Sequence, residues 1–236
     1  MNRGTSRLFW SLTRPRKPFK LVGKLLLAAV VGFYALMAVS ILLLRWVSPI
    51  TTAVQLERRV QAFSRPLPYH KEYKFVPMAQ ISPALQHALV AAEDARFFQH
   101  HGFDWVEVEN AVNERRETGR RRGASTITQQ LVKNLFLTTS STWVRKGVEA
   151  TLVPIVELLL PKTRILELYL NVIEWGPGIF GAEAAARHYY RSAARRLTRE
   201  QAINLATVVP APLRRKPGRY PEYAEIIAGR MTQMGW

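Results

Sequence analysis

Residues 25–44 form an unbroken run of 20 uncharged positions, LLLAAVVGFYALMAVSILLL, bounded by Lys24 and Arg45. A helix of that length spans about 30 Å, the thickness of a bilayer's hydrocarbon core. The apolar core of a signal peptide is shorter, about 7–15 residues, and ends at a small-residue cleavage site. No such site follows Leu44. A buried core helix is the alternative, but an uncharged run this long rarely belongs to a soluble fold. The pattern predicts one transmembrane helix.

Beyond Arg45 the pattern changes. Residues 45–76 read as a connector interrupted by Pro49, Pro66 and Pro68, with Tyr69, Tyr73 and Phe75 available for packing. From Pro77 onward the reading is helical. Ser82 and Pro83 suit an N-cap and a first helical position, and Leu85, Ala88, Leu89 and Ala92 then fall on one face. A second helix is expected near Ser125, where Thr126 and Gln129 have capping-box spacing. A third is expected from Trp143, broken or bent at Pro154. A fourth covers 163–171, a fifth follows Gly181, and a sixth starts at Thr198, with Gln201 three residues on. There is no sustained alternation, internal repeat or low-complexity tract. The expected organisation is a tail (1–24), a membrane helix (25–44), a connector (45–76) and one all-α domain (77–236).

Composition narrows the class. A chain of 236 residues leaves room for one globular domain beside the membrane segment. The formal charge of +17 calls for an anionic partner: nucleic acid, membrane surface or phosphorylated substrate. With no cysteine, disulfide, thiolate-zinc and cysteine-nucleophile chemistries are excluded. The tail holds Arg3, Arg7, Arg14, Arg16, Lys17, Lys20 and Lys24 and no acid. The positive-inside rule keeps it cytoplasmic and puts the rest outside the membrane, in the periplasm where an outer membrane exists. The remainder is also basic, which suits work beside anionic lipid.

Three constellations carry candidate chemistry. In Glu93-Asp94-Ala-Arg96-Phe97-Phe98-Gln-His100-His101-Gly102-Phe-Asp104, Glu93 lies at the rim of the apolar stripe, where a raised carboxyl pKa suits a general acid or base. An ordinary helix C-terminus, with histidines at the negative dipole end and a stop at Gly102, explains the same residues. In Gly123-Ala-Ser125-Thr126-Ile-Thr-Gln129-Gln130-Leu-Val-Lys133-Asn134, the polar residues Thr126, Gln129, Gln130 and Lys133 share one stripe opposite Ile127, Leu131 and Leu135. A glycine turn entering a helix offers N–H groups to an anion; a solvated polar face is the plainer reading. In Arg145-Lys146-Gly-Val-Glu149, the spacing suits either a surface ion pair or a second carboxylate beside phosphate ligands. The arginine-rich stretch 115–123 is either a lipid or pyrophosphate contact or a solvated loop. Gly176-Pro-Gly178-Ile-Phe-Gly181 matches G-x-G-x-x-G but lacks a surrounding βαβ unit. No H-E-x-x-H arrangement supports zinc, and no metal ligand is assigned.

In this order, EDARFFQHHGFD, GASTITQQLVKN, RKGVE, KTRILELYLN and GAEAAARHYY resemble the monofunctional peptidoglycan glycosyltransferases. These are membrane-anchored relatives of the glycosyltransferase domain of bifunctional penicillin-binding proteins. The resemblance implies a lysozyme-like all-α domain with a small membrane-proximal jaw. It implies polymerisation of lipid II, with the growing lipid-linked glycan as donor, inversion at the α-linked pyrophosphate and a β-1,4 product. Glu93 then matches the general base, Lys133 and Arg145 the pyrophosphate ligands, and Glu149 the second carboxylate. Asp94, Phe97, His100, Ser125, Thr126, Gln129, Gln130, Asn134 and Lys146 fall on substrate-binding positions. Residues 137–143 carry no base where family members often do, and Arg120–Arg122 are the candidates to compensate.

No cofactor is required by the sequence, and a divalent cation, Mg²⁺ or Mn²⁺, is left open. Expected partners are lipid II, the lipid-linked glycan and the membrane, with other cell-wall synthesis proteins as candidates and no nucleic acid. Two rivals stay open: a lysozyme-like lytic enzyme on peptidoglycan, and a non-catalytic basic membrane adaptor.

Overall fold

The structure, a computed structural model, describes residues 17–64, 69–119 and 123–236. The chain divides into two compact units, the first ending at Val39 and the second covering Ser40–Trp236. Helix α1, Lys17–Leu43, begins earlier than the uncharged run because the first turn tolerates Pro18. Within it, Lys20–Leu43 is long and apolar enough to cross a membrane, with mean hydropathy 2.5. Its leucines, such as Leu25, Leu26 and Leu27, are exposed. Arg3, Arg7, Arg14 and Arg16 lie outside the described residues, as do Arg120, Arg121 and Arg122.

The segment read as a connector carries structure. Helix α2 (Ala53–Ala62) starts at Thr52, whose hydroxyl accepts the Gln55 N–H at 3.3 Å. Strand β1 (Glu72–Tyr73) follows. The core helices are α3 (Pro83–Glu93), α5 (Ile127–Phe136), α6 (Trp143–Leu159), α7 (Lys162–Val172), α9 (Arg199–Ala206) and α10 (Pro221–Gln233). Helix α3 packs on α9 and α10; α5 packs on α2, α6 and α7. Leu85, Leu89, Ile127, Leu131, Leu152, Ile165 and Trp175 are fully buried between them.

Helix α4 (Trp105–Thr118) was not expected. It buries no residue, so it has no apolar stripe to announce it. Its ends are local: Asp104 accepts the Glu107 N–H at 3.0 Å, and Gly119 closes it in the left-handed region. Both expected capping boxes form, at Thr126–Gln129 and Thr198–Gln201. Ser82 precedes α3 but makes no capping bond; its hydroxyl donates to the Leu197 carbonyl at 3.0 Å instead. Helix α6 runs through Pro154 rather than breaking there. Pro154 faces solvent, while Leu152, Val153 and Val156 on the buried side hold both halves against the core.

The described residues are mostly helical, as the all-α expectation has it, and a small three-stranded sheet is added to them. Strands β2 (Glu174–Gly176) and β3 (Ile179–Phe180) form an antiparallel hairpin, and β1 adds in parallel, giving the order β1-β3-β2. The G-x-G-x-x-G segment is this hairpin and the entry to α8 (Ala182–Tyr190). Its glycines serve close packing: with φ +80 and +83, a Cβ on Gly178 or Gly181 would sit 2.4 Å from the carbonyl oxygen of His70 or Asn171.

Candidate active site

Helix α3 ends on Glu93, and Asp94 turns the chain away as its C-cap. The part-buried Glu93 carboxylate accepts a hydrogen bond from Gln130 Nε2 at 2.7 Å. The Gln130 amide is oriented from behind by the Tyr169 hydroxyl, which donates to Oε1 at 2.7 Å. Tyr169 is fully buried, and burial holds its phenol neutral, well above the ordinary pKa. Burial likewise pushes the Glu93 carboxyl up, and Asp94 adds to this. The Gln130 hydrogen bond and the Lys133 charge oppose it. The result is a carboxylate more basic than an exposed one, with a fixed donor on one oxygen.

Lys133 sits one turn after Gln130 on α5. Burial pushes its ammonium pKa down, while Glu149 and Glu93 pull it back. It therefore lies within the field of both carboxylates. Glu149 is buried on α6 and clamps two cations, Arg145 Nη1 at 2.5 Å and the Lys146 ammonium. Of the two readings the spacing allowed, the structure has a part-buried contact built on a buried acid rather than a solvated surface pair. Arg145 also donates through Nε to the Ser140 carbonyl, so the loop before α6 fixes its direction. A cluster of three cations around one buried acid is suited to stabilising developing phosphate charge.

The remaining expected residues divide between cleft and frame. Ser125 is exposed and lines a cavity of about 290 Å³ with Glu93, Arg96 and Arg230. Lys133, Asn134 and Gln130 line a second, of about 220 Å³, with Arg58 and Glu174. The Glu93–Gln130 hydrogen bond joins the two walls. Asp94, His100, Thr126 and Gln129 are all buried and bonded to one another's segments. Asp94 accepts from His100 Nε2 and from the Ile127 N–H, each at 2.9 Å. His100 Nδ1 accepts the Gly102 N–H at 3.2 Å, and Thr126 donates to the Gly102 carbonyl at 2.7 Å. These four residues fasten the start of α5 to the turn after Glu93. The polar stripe of α5 thus faces inward and not toward solvent. Phe97 does not line the cleft: it is fully buried, with the Lys162 ammonium 4.4 Å from its ring centroid. Asn134 supports Gln130 from within the helix, donating to its carbonyl at 2.8 Å.

Asp94, His100 and Asp104 are close enough together to hold a cation. The fit is poor, because their atoms are already committed. His100 Nε2 carries the proton donated to Asp94, since Nδ1 is an acceptor. Asp94 Oδ2 receives Ile127, and Asp104 caps α4 and faces Arg96 at 3.7 Å.

Sequence reasoning missed Tyr169, the Arg58–Glu174 pair at 2.9 Å, and the α10 residues around α3. Only Tyr169 left a signal, as a tyrosine on the buried side of a helix that must find a hydrogen-bond partner.

The Transglycosylase family model matches residues 57–234, beginning inside α2. A biosynthetic peptidoglycan transglycosylase from Pseudomonas putida strain F1 is 42% identical over 211 residues, covering 88% of this chain and 89% of the relative. Its namesake from Ectopseudomonas mendocina strain ymp is 43% identical over 202 residues, 84% of each chain. That from Pseudomonas aeruginosa strain PAO1 is 41% identical over 204 residues, 86% of this chain and 88% of the relative. With the family model matching residues 57–234 and relatives 41–43% identical over most of their length, the chain belongs to the transglycosylase family.

Proposed function

We propose that this chain is a membrane-anchored peptidoglycan glycosyltransferase that polymerises lipid II. The observation that carries this reading is the pairing of a desolvated carboxylate, Glu93, with the cations Lys133, Arg145 and Lys146 gathered around buried Glu149. The acceptor's sugar hydroxyl is a poor nucleophile at neutral pH and needs a base as it attacks. Glu93 takes that proton while the new O–C bond forms at the donor's anomeric carbon. The bond to the α-linked pyrophosphate breaks on the opposite face, which gives the β-1,4 linkage. The departing electron pair and charge go to undecaprenyl pyrophosphate, where Lys133 and Arg145 stabilise them more in the transition state than before it.

Glu149 acts as the holder of the cations. Both of its carboxylate oxygens are taken up by Arg145 and Lys146. Gln130 aims Glu93 and favours its ionised form against the effect of burial. Ser125 and Asn134 border the two cavities, and Asp94, His100, Thr126 and Gln129 hold the wall on which they stand. Any Mg²⁺ or Mn²⁺ would have its place with the substrate's pyrophosphate. A lytic enzyme has no use for the cation cluster. Helix α1 anchors the chain in the cytoplasmic membrane, with the basic tail inside and residues 45–236 outside.

The test is incubation of the full chain in detergent with labelled lipid II, and separately with purified sacculi. Glycan strands with stoichiometric undecaprenyl pyrophosphate are expected from the first and nothing soluble from the second. Muropeptides from sacculi, without polymer from lipid II, would reverse the reading.

A further inference from the structure

Glu93 is the last residue of α3, so its aim depends on how that helix ends. The final helical hydrogen bond there is Asp94 N–H to the Val90 carbonyl, at 2.9 Å. The next carbonyls, Ala91 and Ala92, have no partner within the helix. Helix α10 supplies both. Arg230 Nη1 donates to the Ala91 carbonyl at 3.1 Å, and the Tyr223 hydroxyl donates to the Ala92 carbonyl at 3.4 Å. Arg230 thereby places a cation at the negative end of the α3 dipole. Tyr223 is itself braced, with the Arg215 guanidinium 5.4 Å from its ring centroid and Arg215 Nη1 on the Thr207 carbonyl at 2.9 Å. Further along, Trp236 stacks on His87 of α3 with ring centroids 4.2 Å apart.

From these contacts we infer that Arg230 and Tyr223 are positioning residues for Glu93, and that the C-terminal helix sets the geometry of the base. The inference rests on the proposed role of Glu93. Buried Ile227 and Met231 carry the apolar packing of α10, so the two polar contacts are not what attaches the helix. They fix the two carbonyls immediately before Glu93 rather than the fold as a whole. Arg230, Gln233 and Met234 also line the 290 Å³ cavity together with Glu93.

The experiment measures lipid II polymerisation by the full chain in detergent. It compares Arg230→Met, Arg230→Lys, Tyr223→Phe, Glu93→Gln and the double variant Glu93→Gln/Arg230→Met. A displacement of about 1 Å at a reacting group can cost ~10²-fold. Arg230→Met is therefore expected to lower kcat by about 10- to 100-fold, with KM within about twofold, and Arg230→Lys to recover most of the loss. In the Glu93→Gln background Arg230→Met should have no further effect, because the two act as a unit. Should Arg230→Met fail to fold, Tyr223→Phe removes a single oxygen, and its expected loss is in kcat alone. A raised KM with kcat retained would make Arg230 a substrate ligand and overturn the inference. Multiplying losses in the double variant, or an activity loss that tracks the unfolding midpoint, would do the same. Full activity in Glu93→Gln would remove the base reading and this inference with it, whereas a Glu93-dependent enzyme indifferent to Arg230 and Tyr223 removes the inference alone.

Discussion

Replacing Tyr169 by Phe tests the relay behind the base. The change deletes one oxygen from a fully buried ring and leaves its packing in place. That oxygen donates at 2.7 Å to Gln130 Oε1, whose Nε2 in turn donates at 2.7 Å to Glu93. Without it the Gln130 oxygen loses its donor, at about 1–3 kcal/mol. Turning the amide over gives no relief, because its oxygen would then face the Glu93 carboxylate and its NH2 the Phe ring. Either outcome weakens the hydrogen bond that favours ionised Glu93. If about 1–2 kcal/mol of this appears in the transition state, kcat falls roughly 5- to 30-fold. The acid limb of the rate profile should also move to higher pH, because the removed hydrogen bond lowers the Glu93 pKa. The assay is lipid II polymerisation across the acid range, with urea unfolding of the same preparation. An unchanged kcat and an unmoved acid limb, with lower stability alone, would refute the relay.

Three further outcomes are expected. Gly102→Ala should destabilise the protein by about 2 kcal/mol, since its Cβ would meet Val153 Cγ1 at 2.4 Å with φ at +92; an unchanged urea midpoint would count against this packing. For Glu183, burial would raise the carboxyl, but the Ala194 N–H at 2.8 Å and Arg187 at 2.7 Å hold it below the ordinary value. Its contribution is therefore full above the unfolded pKa and lost as pH falls through the folded one. Glu183→Gln should cost about 1–3 kcal/mol near neutrality and progressively less in acid, as read by urea unfolding at several pH values. Because the chain has no cysteine, single thiols report its topology. An impermeant thiol reagent applied to spheroplasts should label Ser64→Cys directly and Ser6→Cys only after lysis; the reverse order would invert the proposed orientation.

What the sequence made legible was local. The capping boxes at Thr126 and Thr198 are four-residue patterns, so they could be read directly. The apolar run of α1 needed only its length. Helix α2 escaped because it buries a single apolar residue, Val54, beside Gln55, while Leu56 and Val60 are exposed, and α4 escaped because it buries nothing. In the site, the acids and cations were visible as residue types, but their burial was not. Arg145 and Glu149 at i and i+4 look alike on a surface and in an interior, and only the packing of α5 and α6 distinguishes them. Phe97 fell in a motif rich in polar residues yet points into the core. The Tyr169–Gln130–Glu93 relay joins residues 39 and 37 apart in sequence, beyond any local pattern. The helix α10 contacts on Ala91 and Ala92 span still longer separations, 139 and 131.

The central claim is that Glu93 is the base for glycosyl transfer. It is tested most directly by kcat/KM for lipid II polymerisation in wild type and Glu93→Gln, measured as a function of pH. The account predicts a loss of at least ~10²-fold in Glu93→Gln and disappearance of the acid limb seen in wild type. Equal rates in the two proteins, or an acid limb that survives the substitution unchanged, would contradict it.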